Sequence, residues 1–371
     1  MTAGPTITLM LAGDVMTGRG IDQVLPHPSE PALHESWARS ATEYVELAER
    51  ANGPIKRPVA FDYVWGDALD AIEDGRPDVR IVNLETAVTL ADVPCPKGIN
   101  YRMHPANVAC LGTAGIDCCV LANNHVLDWG EAGLLDTLDV LRAAGLRTAG
   151  AGRTCDEAAA PAILPVAGVG RVLVYAAAFA SSGVPADWAA LADRPGINFF
   201  HSPSDSAATR IAARIQADRK AGDIVVLSVH WGGNWGHDIP IADRAFANRL
   251  IAEGGVDVIH GHSSHHPKAI EVYRGKIVLY GCGDLLNDYE GITGYENYSP
   301  DLALLYFVEI EVRTGALAGL RMVPLRIRNF RLGRAEASER DRLLQTLNTE
   351  CRRFGGSVAP EGERGLRLSS Q

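Results

Sequence analysis

The chain is short of positive charge. Its 371 residues carry 35 Lys and Arg against 45 Asp and Glu, a net charge of −10 at pH 7. Binding to nucleic acid rests on a basic surface that neutralises phosphates, so DNA and RNA are not expected as partners. No apolar run approaches the ~20 residues that a membrane-spanning helix needs, so no transmembrane segment is expected. The N-terminus lacks a basic stretch and a cleavage site, and Ile7 to Ala12 is too short for a signal sequence; it reads as a first core strand. The 7 cysteines are an odd count without a C-x-x-C pair, and several lie in apolar runs. Buried free thiols in a reducing cytoplasm fit this usage better than disulfides or a zinc ribbon. Also missing are a G-x-x-x-x-G-K-[ST] loop, a G-x-G-x-x-G after a strand, a G-x-S-x-G elbow and an H-E-x-x-H pair. These absences set aside the P-loop, dinucleotide-binding, α/β-hydrolase and zincin chemistries. Lys is scarce beside Ala, Arg and Gly, the composition of a high-GC bacterial genome.

What is present is core-forming material, 47% hydrophobic, in a length that suits one large domain or two small ones. Apolar runs over Thr6 to Ala12, Val79 to Leu84, Asp117 to Ala122, Val172 to Phe179, Ile224 to Val229 and Val256 to Ile259 read as strands. Helical patterns over Val64 to Glu73, Pro105 to Thr113, Glu131 to Ala144, Asp205 to Ala221 and Ala242 to Glu253 alternate with them, which is an α/β pattern. Residues 19 to 60, rich in proline, are long for a connection; a helix over Ser36 to Arg50, capped by Ser36, is expected inside this lid or recognition insertion. After residue 268 the rhythm changes to strands over Ala269 to Tyr273, Lys276 to Tyr280, Leu302 to Val312 and Leu317 to Arg328. Arg274-Gly275 and Thr314-Gly315 are the turns of antiparallel hairpins, expected to complete a second sheet. A stacked two-sheet α/β domain over residues 1–332 is expected, followed by residues 333–371 as one helix, Ser338 to Arg353, and a mobile Gly/Pro/Ser-rich end.

Polar residues cluster where the strands run out. His260-Gly261-His262 follows an apolar run, and two imidazoles at that spacing can face one ion. Asp14, Glu85, Asn124 and His230 each follow or end a strand-like run in the same way. Zinc, manganese and iron take this mixture of imidazole and carboxylate donors. The pattern is that of a metalloenzyme with its site at the carboxyl ends of several strands. Trp231 and Trp235 belong either to the core or to a substrate cleft. Tyr289, Tyr295 and Tyr298, with Asp284, Asn287 and Asp288, form a polar aromatic loop after Gly283, either a binding loop or a solvated connection.

Gly13-Asp14, Asn83-Leu84-Glu85, Asn123-Asn124-His125, His230-Trp231-Gly232 and His260-Gly261-His262 stand in the order of the calcineurin-like metallophosphoesterase blocks. Asn83-Leu84-Glu85, the Ala122 to His125 block and Gly261-His262 to His266-Pro267, followed by Tyr280-Gly281-Cys282-Gly283, resemble the CapA group, named for a poly-γ-glutamate capsule synthesis protein. The resemblance spans roughly residues 6 to 330. It implies an αββα sandwich of mixed sheets and one or two divalent ions: Mn, Fe or Zn. Asp14 and His262 would then bind the first ion, Glu85 would bridge, and Asn124, His230 and His260 would hold the second. His125 would serve as an acid/base group, with His265 or His266 as a second one. Met16 stands where metallophosphoesterases carry a histidine, and a thioether is a poor ligand for such ions, so the first site is expected to be short of a ligand.

Three activities are compatible with these residues. The CapA-like group includes epimerases that invert an α-carbon in ribosomally made lasso peptides, which implies a metal-dependent acid/base enzyme acting near a peptide C-terminus. Metal-dependent phosphoester hydrolysis is the second, and a non-catalytic partner in capsule polymer synthesis the third.

Overall fold

The computed structural model describes residues 4–369. The first strand, Thr6–Val15, is the axis of a ten-stranded sheet. Strands Val79–Leu84, Cys118–Val120 and Arg147–Ala149 lie beside it in that order, all parallel. Such strands are covered on both faces and therefore read as near-continuous apolar runs. On the other side Leu302–Glu311 pairs antiparallel with the first strand and Leu317–Arg328 with Leu302–Glu311.

The second sheet is built around parallel strands Gly170–Phe179, Ile224–His230, Val258–His262 and Lys276–Leu279. Ala162–Val166 and Ile270–Tyr273 pair antiparallel with its members. Alternation along these strands separates two faces. Leu173, Tyr175, Ala177, Val225, Leu227 and Ile259 pack with the helices Asp205–Asp218 and Ile241–Ala252. Val172, Val174, Ala176, Val226 and Val258 pack into the core shared with the first sheet. Leu134 and Leu141 of the helix Gly130–Ala143 join that core from the first sheet's side. The layers are helix, sheet, sheet, helix, the expected αββα sandwich. Among the described residues no helix is long and apolar enough to cross a membrane.

Several local expectations change. The helix expected from Ser36 begins at Thr42 and runs to Asn52, because the chain before it is held in a bridge between Ala32 and Ser40. The first strand does not stop at Ala12: a register shift lets it continue through Asp14 and Val15, which pair with Asp284 and Leu286 of a short parallel strand, Asp284–Leu286. Only the hairpin turning at Arg274-Gly275, both in the left-handed region, completes the second sheet. The two long strands after residue 300 extend the first sheet instead, Leu302–Glu311 pairing along the free edge of Thr6–Val15 and Leu317–Arg328 along Leu302–Glu311. The C-terminal end, expected to be mobile, pairs as strands Val358–Glu361 and Gly365–Leu368, the latter on Leu317–Arg328.

Candidate metal centre and its pocket

The carboxyl ends of the parallel strands from both sheets meet at one seam. Asp14 is fully buried, and its Oδ1 accepts from Asn83 Nδ2 at 2.7 Å. The same nitrogen donates to Glu85 Oε2 at 3.1 Å, so one amide ties the two carboxylates. Asn123 secures the arrangement: its Nδ2 donates to Asn83 Oδ1 (3.0 Å) and to the Leu84 carbonyl (2.9 Å). Its Oδ1 accepts the backbone N–H of His125 at 3.1 Å. Asn123 is therefore a structural tie, whereas Asn124 turns its side chain to His230, Oδ1 to Nε2 3.1 Å.

The second sheet supplies imidazoles. His230 Nδ1 and His262 Nδ1 lie 2.7 Å apart, and His262 Nε2 is 2.8 Å from Ser228 Oγ. Asp14, His230 and His262 each offer a ligand atom within 4.8 Å of the others. His260 stands apart from this group. Both of its nitrogens are engaged elsewhere, Nδ1 with Ser228 Oγ (3.1 Å) and Nε2 with the Ala12 carbonyl (2.9 Å), so the ring expected to bind metal braces one sheet against the other.

A second group shares Asp14. Asp14, His265 and Asp284 also offer ligand atoms within 4.8 Å of one another, and His265 Nδ1 is 2.9 Å from Asp284 Oδ1. Met16 is buried beside it, its sulfur 3.8 Å from the Tyr289 hydroxyl. A carboxylate from another strand, Asp284, thus lies where position 16 offers only a thioether. Sequence reasoning noted Asp284 only as part of a polar loop. The missed signal was a repeated dipeptide, Gly13-Asp14 and Gly283-Asp284. A Cβ at residue 13 would stand 1.8 Å from the Gly283 carbonyl, so Gly13 lets the strands approach with the two aspartates level.

The electrostatics fit a cation. Burial, then the charge of Asp284, pushes the Asp14 carboxyl up to about 7. Burial and the Asp14 charge push Glu85 well above the usual carboxylate range. Burial holds His230 and His262 well below the usual imidazole value, so both present neutral rings. Asp14 Oδ2 is buried without a hydrogen-bond partner. Crowded carboxylates, neutral imidazoles and an orphaned oxygen in one dry place are a donor set that a divalent ion would fit.

His125 lies beside this cluster, its Nε2 3.9 Å from Glu85 Oε1. Nδ1 is 2.6 Å from Asp128 Oδ2, a carboxylate three residues on that also takes Lys97 Nζ at 2.7 Å. Burial, only partly opposed by Asp128, lowers His125 to about 4. The ring is therefore neutral, donates from Nδ1 and keeps a bare Nε2 toward the cluster. His265 is the other carboxylate-paired imidazole; burial opposes its charged form, but the charge and hydrogen bond of Asp284, joined by the Asp14 charge, together outweigh this and raise it. The His125 ring packs on Tyr101 at 4.3 Å and the His265 ring on Tyr289 at 5.3 Å, and the two tyrosine hydroxyls are 3.2 Å apart.

Of these groups His265, Tyr101 and Tyr289 line a cavity of about 230 Å³, together with Trp235 and Tyr295. Trp235 stacks on Tyr295 at 4.1 Å and 12°. Trp37 and Tyr44 contribute a wall from the 19–60 insertion. Arg19 anchors that wall: its guanidinium grips Asp288 through Nε (2.9 Å) and Nη2 (2.5 Å), and Glu35 through Nη1 (2.8 Å). Two expected site residues lie elsewhere. Trp231 is a core residue, donating Nε1 to the Tyr280 carbonyl at 2.9 Å and packed with Phe179 and Phe246. His266 turns away from the cluster, stacked on Tyr298 at 4.6 Å with Nδ1 on the Pro267 carbonyl.

A protein-family model described as "Bacterial capsule synthesis protein PGA_cap" matches residues 8–289. Among curated proteins, one from Mycobacterium tuberculosis, named "Probable polyglutamine synthesis accessory protein", is 47% identical over 98% of this chain and 96% of its own. The "Capsule biosynthesis protein CapA" of Bacillus anthracis is 25% identical over 86% of this chain and 67% of its own. The "PGA biosynthesis protein CapA" of Bacillus subtilis is 28% identical over 76% and 63%.

Proposed function

The chain belongs to the bacterial capsule synthesis protein family PGA_cap, and from that premise we propose that it is a metal-dependent acid/base enzyme acting on a peptide, exchanging the proton of an α-carbon and so inverting it. One observation carries the reading. Two carboxylate-paired imidazoles, His125 with Asp128 and His265 with Asp284, adjoin a buried Asp and His cluster, and His265 also lines the aromatic-walled cavity.

In this reading Asp14, Glu85, Asn124, His230 and His262 hold one divalent ion, and Asp14, Asp284 and His265 border a second. Bound there, the ions supply positive charge that polarises a carboxylate or amide and makes the adjacent α-proton more acidic. The residues do the rest. His125 takes the proton at Nε2, because Asp128 holds Nδ1–H and fixes the tautomer. The Tyr289 hydroxyl gives a proton to the opposite face and takes one in turn from His265 Nε2, 3.5 Å away, and His125 and His265 return to their starting states by exchange with solvent after release. Trp235, Tyr295 and the 19–60 insertion hold the peptide and keep water from the carbanion-like state. The test is incubation with short peptides in heavy water with added Mn²⁺, followed by mass spectrometry. A one-dalton gain at one α-carbon, abolished by EDTA and by His125→Ala, is the expected result. Phosphate release from phosphoesters in a parallel arm, without deuterium gain, would replace the reading with hydrolysis.

The relatives' names favour a second reading. Proteins called synthesis accessory or biosynthesis proteins suggest a partner of the machinery that assembles a glutamate or glutamine polymer. An Asp14→Ala, His230→Ala double variant that sustains function in cells supports that partner role over catalysis.

A further inference from the structure

The cavity beside His265 carries no unpaired charge, although an arginine and a histidine line it. Arg19 and His265 are its only basic lining residues, and none of the lining residues has a carboxylate. We infer that it is a specificity pocket for one bulky, uncharged and apolar side chain of the substrate, aromatic by preference, and that it turns acidic and basic side chains away. The inference rests on the reading of this cavity as the substrate's and names the residue it takes. Its content comes from charge pairing and exposed apolar surface alone.

Neither sign of charge finds a free partner there. Arg19 is held by Asp288 through Nε (2.9 Å) and Nη2 (2.5 Å) and by Glu35 through Nη1 (2.8 Å), and His265 Nδ1 stands 2.9 Å from Asp284 Oδ1. An acidic side chain entering the cavity would be a third carboxylate on one guanidinium, and a charge taken from water without a partner of its own is strongly disfavoured. A basic side chain meets the reverse problem. Aromatic faces attract cations, but the Arg19 guanidinium already lies over the Tyr44 ring at 3.5 Å and the Tyr101 ring at 4.7 Å. Apolar surface, by contrast, is open. Trp37 (53% exposed), Ile99 (43%) and Tyr295 (40%) all line this one cavity. Single exposed apolar side chains are ordinary, whereas several gathered at one concave site mark a place for a ligand. The volume is about 230 Å³, below the ~300–1,000 Å³ of sites for drug-sized ligands, so it suits one large side chain rather than a length of polymer. The walls favour a ring. Trp235 stacks on Tyr295 at 4.1 Å and Trp37 meets Tyr44 edge-on at 5.0 Å, and a further aromatic gains from offset or edge contacts beyond the area it buries. A glutamyl side chain is therefore a poor occupant.

The test measures binding without turnover. Capped pentapeptides Gly-Gly-Xaa-Gly-Gly, with Phe, Leu, Ala, Glu or Lys at the centre, are titrated into the full chain by calorimetry, once after EDTA treatment and once with Mn²⁺ restored. The Phe peptide is expected to bind about 10- to 100-fold more tightly than the Ala peptide, the fold-change that burying one large apolar side chain confers. Leu is expected between them, and Glu and Lys no tighter than Ala. Trp37→Ala and Ile99→Ala, both at exposed positions, are expected to reduce the Phe preference several-fold. Ile99→Arg adds a cation to the rim and is expected to lift the Glu peptide above the Ala peptide. Equal affinity for all the peptides, tightest binding of Glu or Lys, or no binding of any of them overturns the assignment. Because no reaction is read, the outcomes separate. A Phe preference without α-deuterium gain by the same peptide in heavy water keeps the pocket and removes the epimerisation reading, and deuterium gain without side-chain preference does the opposite.

Discussion

Asp14 and Asp284 stand level on neighbouring parallel strands, paired in register with a glycine before each. This pairing places a carboxylate from the 284–286 strand beside the first strand's aspartate and offsets the thioether at Met16. With His265 on the same carboxylate, the proposed second ion would have donors that the 13–16 segment alone does not provide. Asp284→Asn keeps the size and the acceptor oxygen but removes the charge. It is expected to lower Mn²⁺ stoichiometry from about two to about one, leaving the ion at His230 and His262. Unchanged stoichiometry by elemental analysis contradicts the second site.

The same crowding makes the metal-free protein carry a stability cost. Asp14 is pushed up to about 7, by burial and then by Asp284, which outweigh the opposing pull of His265 and the Asn83 hydrogen bond. Asp14→Asn removes that repulsion and keeps the acceptor for Asn83. The variant is expected to melt about 2–4 °C higher than wild type when both are stripped with EDTA. It is also expected to show no rise on adding Mn²⁺. Differential scanning calorimetry in the two conditions reads both effects.

Trp231 and Trp235, four residues apart, are expected to fail differently. Trp231 is 3% exposed within an aromatic cluster, so Trp231→Ala opens a cavity and should cost about 3–5 kcal/mol in denaturant unfolding. Trp235 lines the pocket and stacks on the half-exposed Tyr295. Trp235→Ala should leave Mn²⁺ binding intact and raise KM about tenfold or more for any peptide that is turned over. A collapse of stability in the second variant alone contradicts this division.

How these two tryptophans divide illustrates what the sequence could and could not tell. The strand ends, the gathering of Asp14, Glu85, Asn124, His230 and His262 at one seam, and the sandwich were legible because buried parallel strands leave long apolar runs with polar residues at one end. His260 was misread because spacing of two puts residues on one face of a strand but does not say which partner each one meets. Its ring is taken by a carbonyl from the other sheet, a tertiary fact. Asp284 and Asp128 were passed over for the same reason, since their roles come from strands and turns brought alongside by the fold. The two long strands after residue 300 were assigned to the wrong sheet because alternation fixes which face is buried, not which neighbour pairs.

Arg19 ties the 19–60 insertion to the body. Its side chain is 2% exposed, and it pairs with Asp288 and Glu35, each 1% exposed, while its backbone sits in the left-handed region at φ 50°. Arg19→Ala leaves two buried carboxylates uncompensated and should cost about 3–5 kcal/mol. Limited proteolysis should then cut within residues 26–60 faster than in wild type. Unchanged cleavage there would mean that the insertion is held by its apolar contacts alone.

The most direct measurement is the metal content of the protein itself. Chain purified without chelator, loaded with Mn²⁺ and freed of excess ion by gel filtration, is analysed by plasma mass spectrometry alongside its melting curve with and without EDTA. The account predicts about two ions per chain and a fall in Tm on chelation, worth about 2.7 kcal/mol where free ion stands at 100 times Kd. Protein that retains no metal, and melts at the same temperature with and without EDTA, contradicts the metal centre and with it the proposed chemistry.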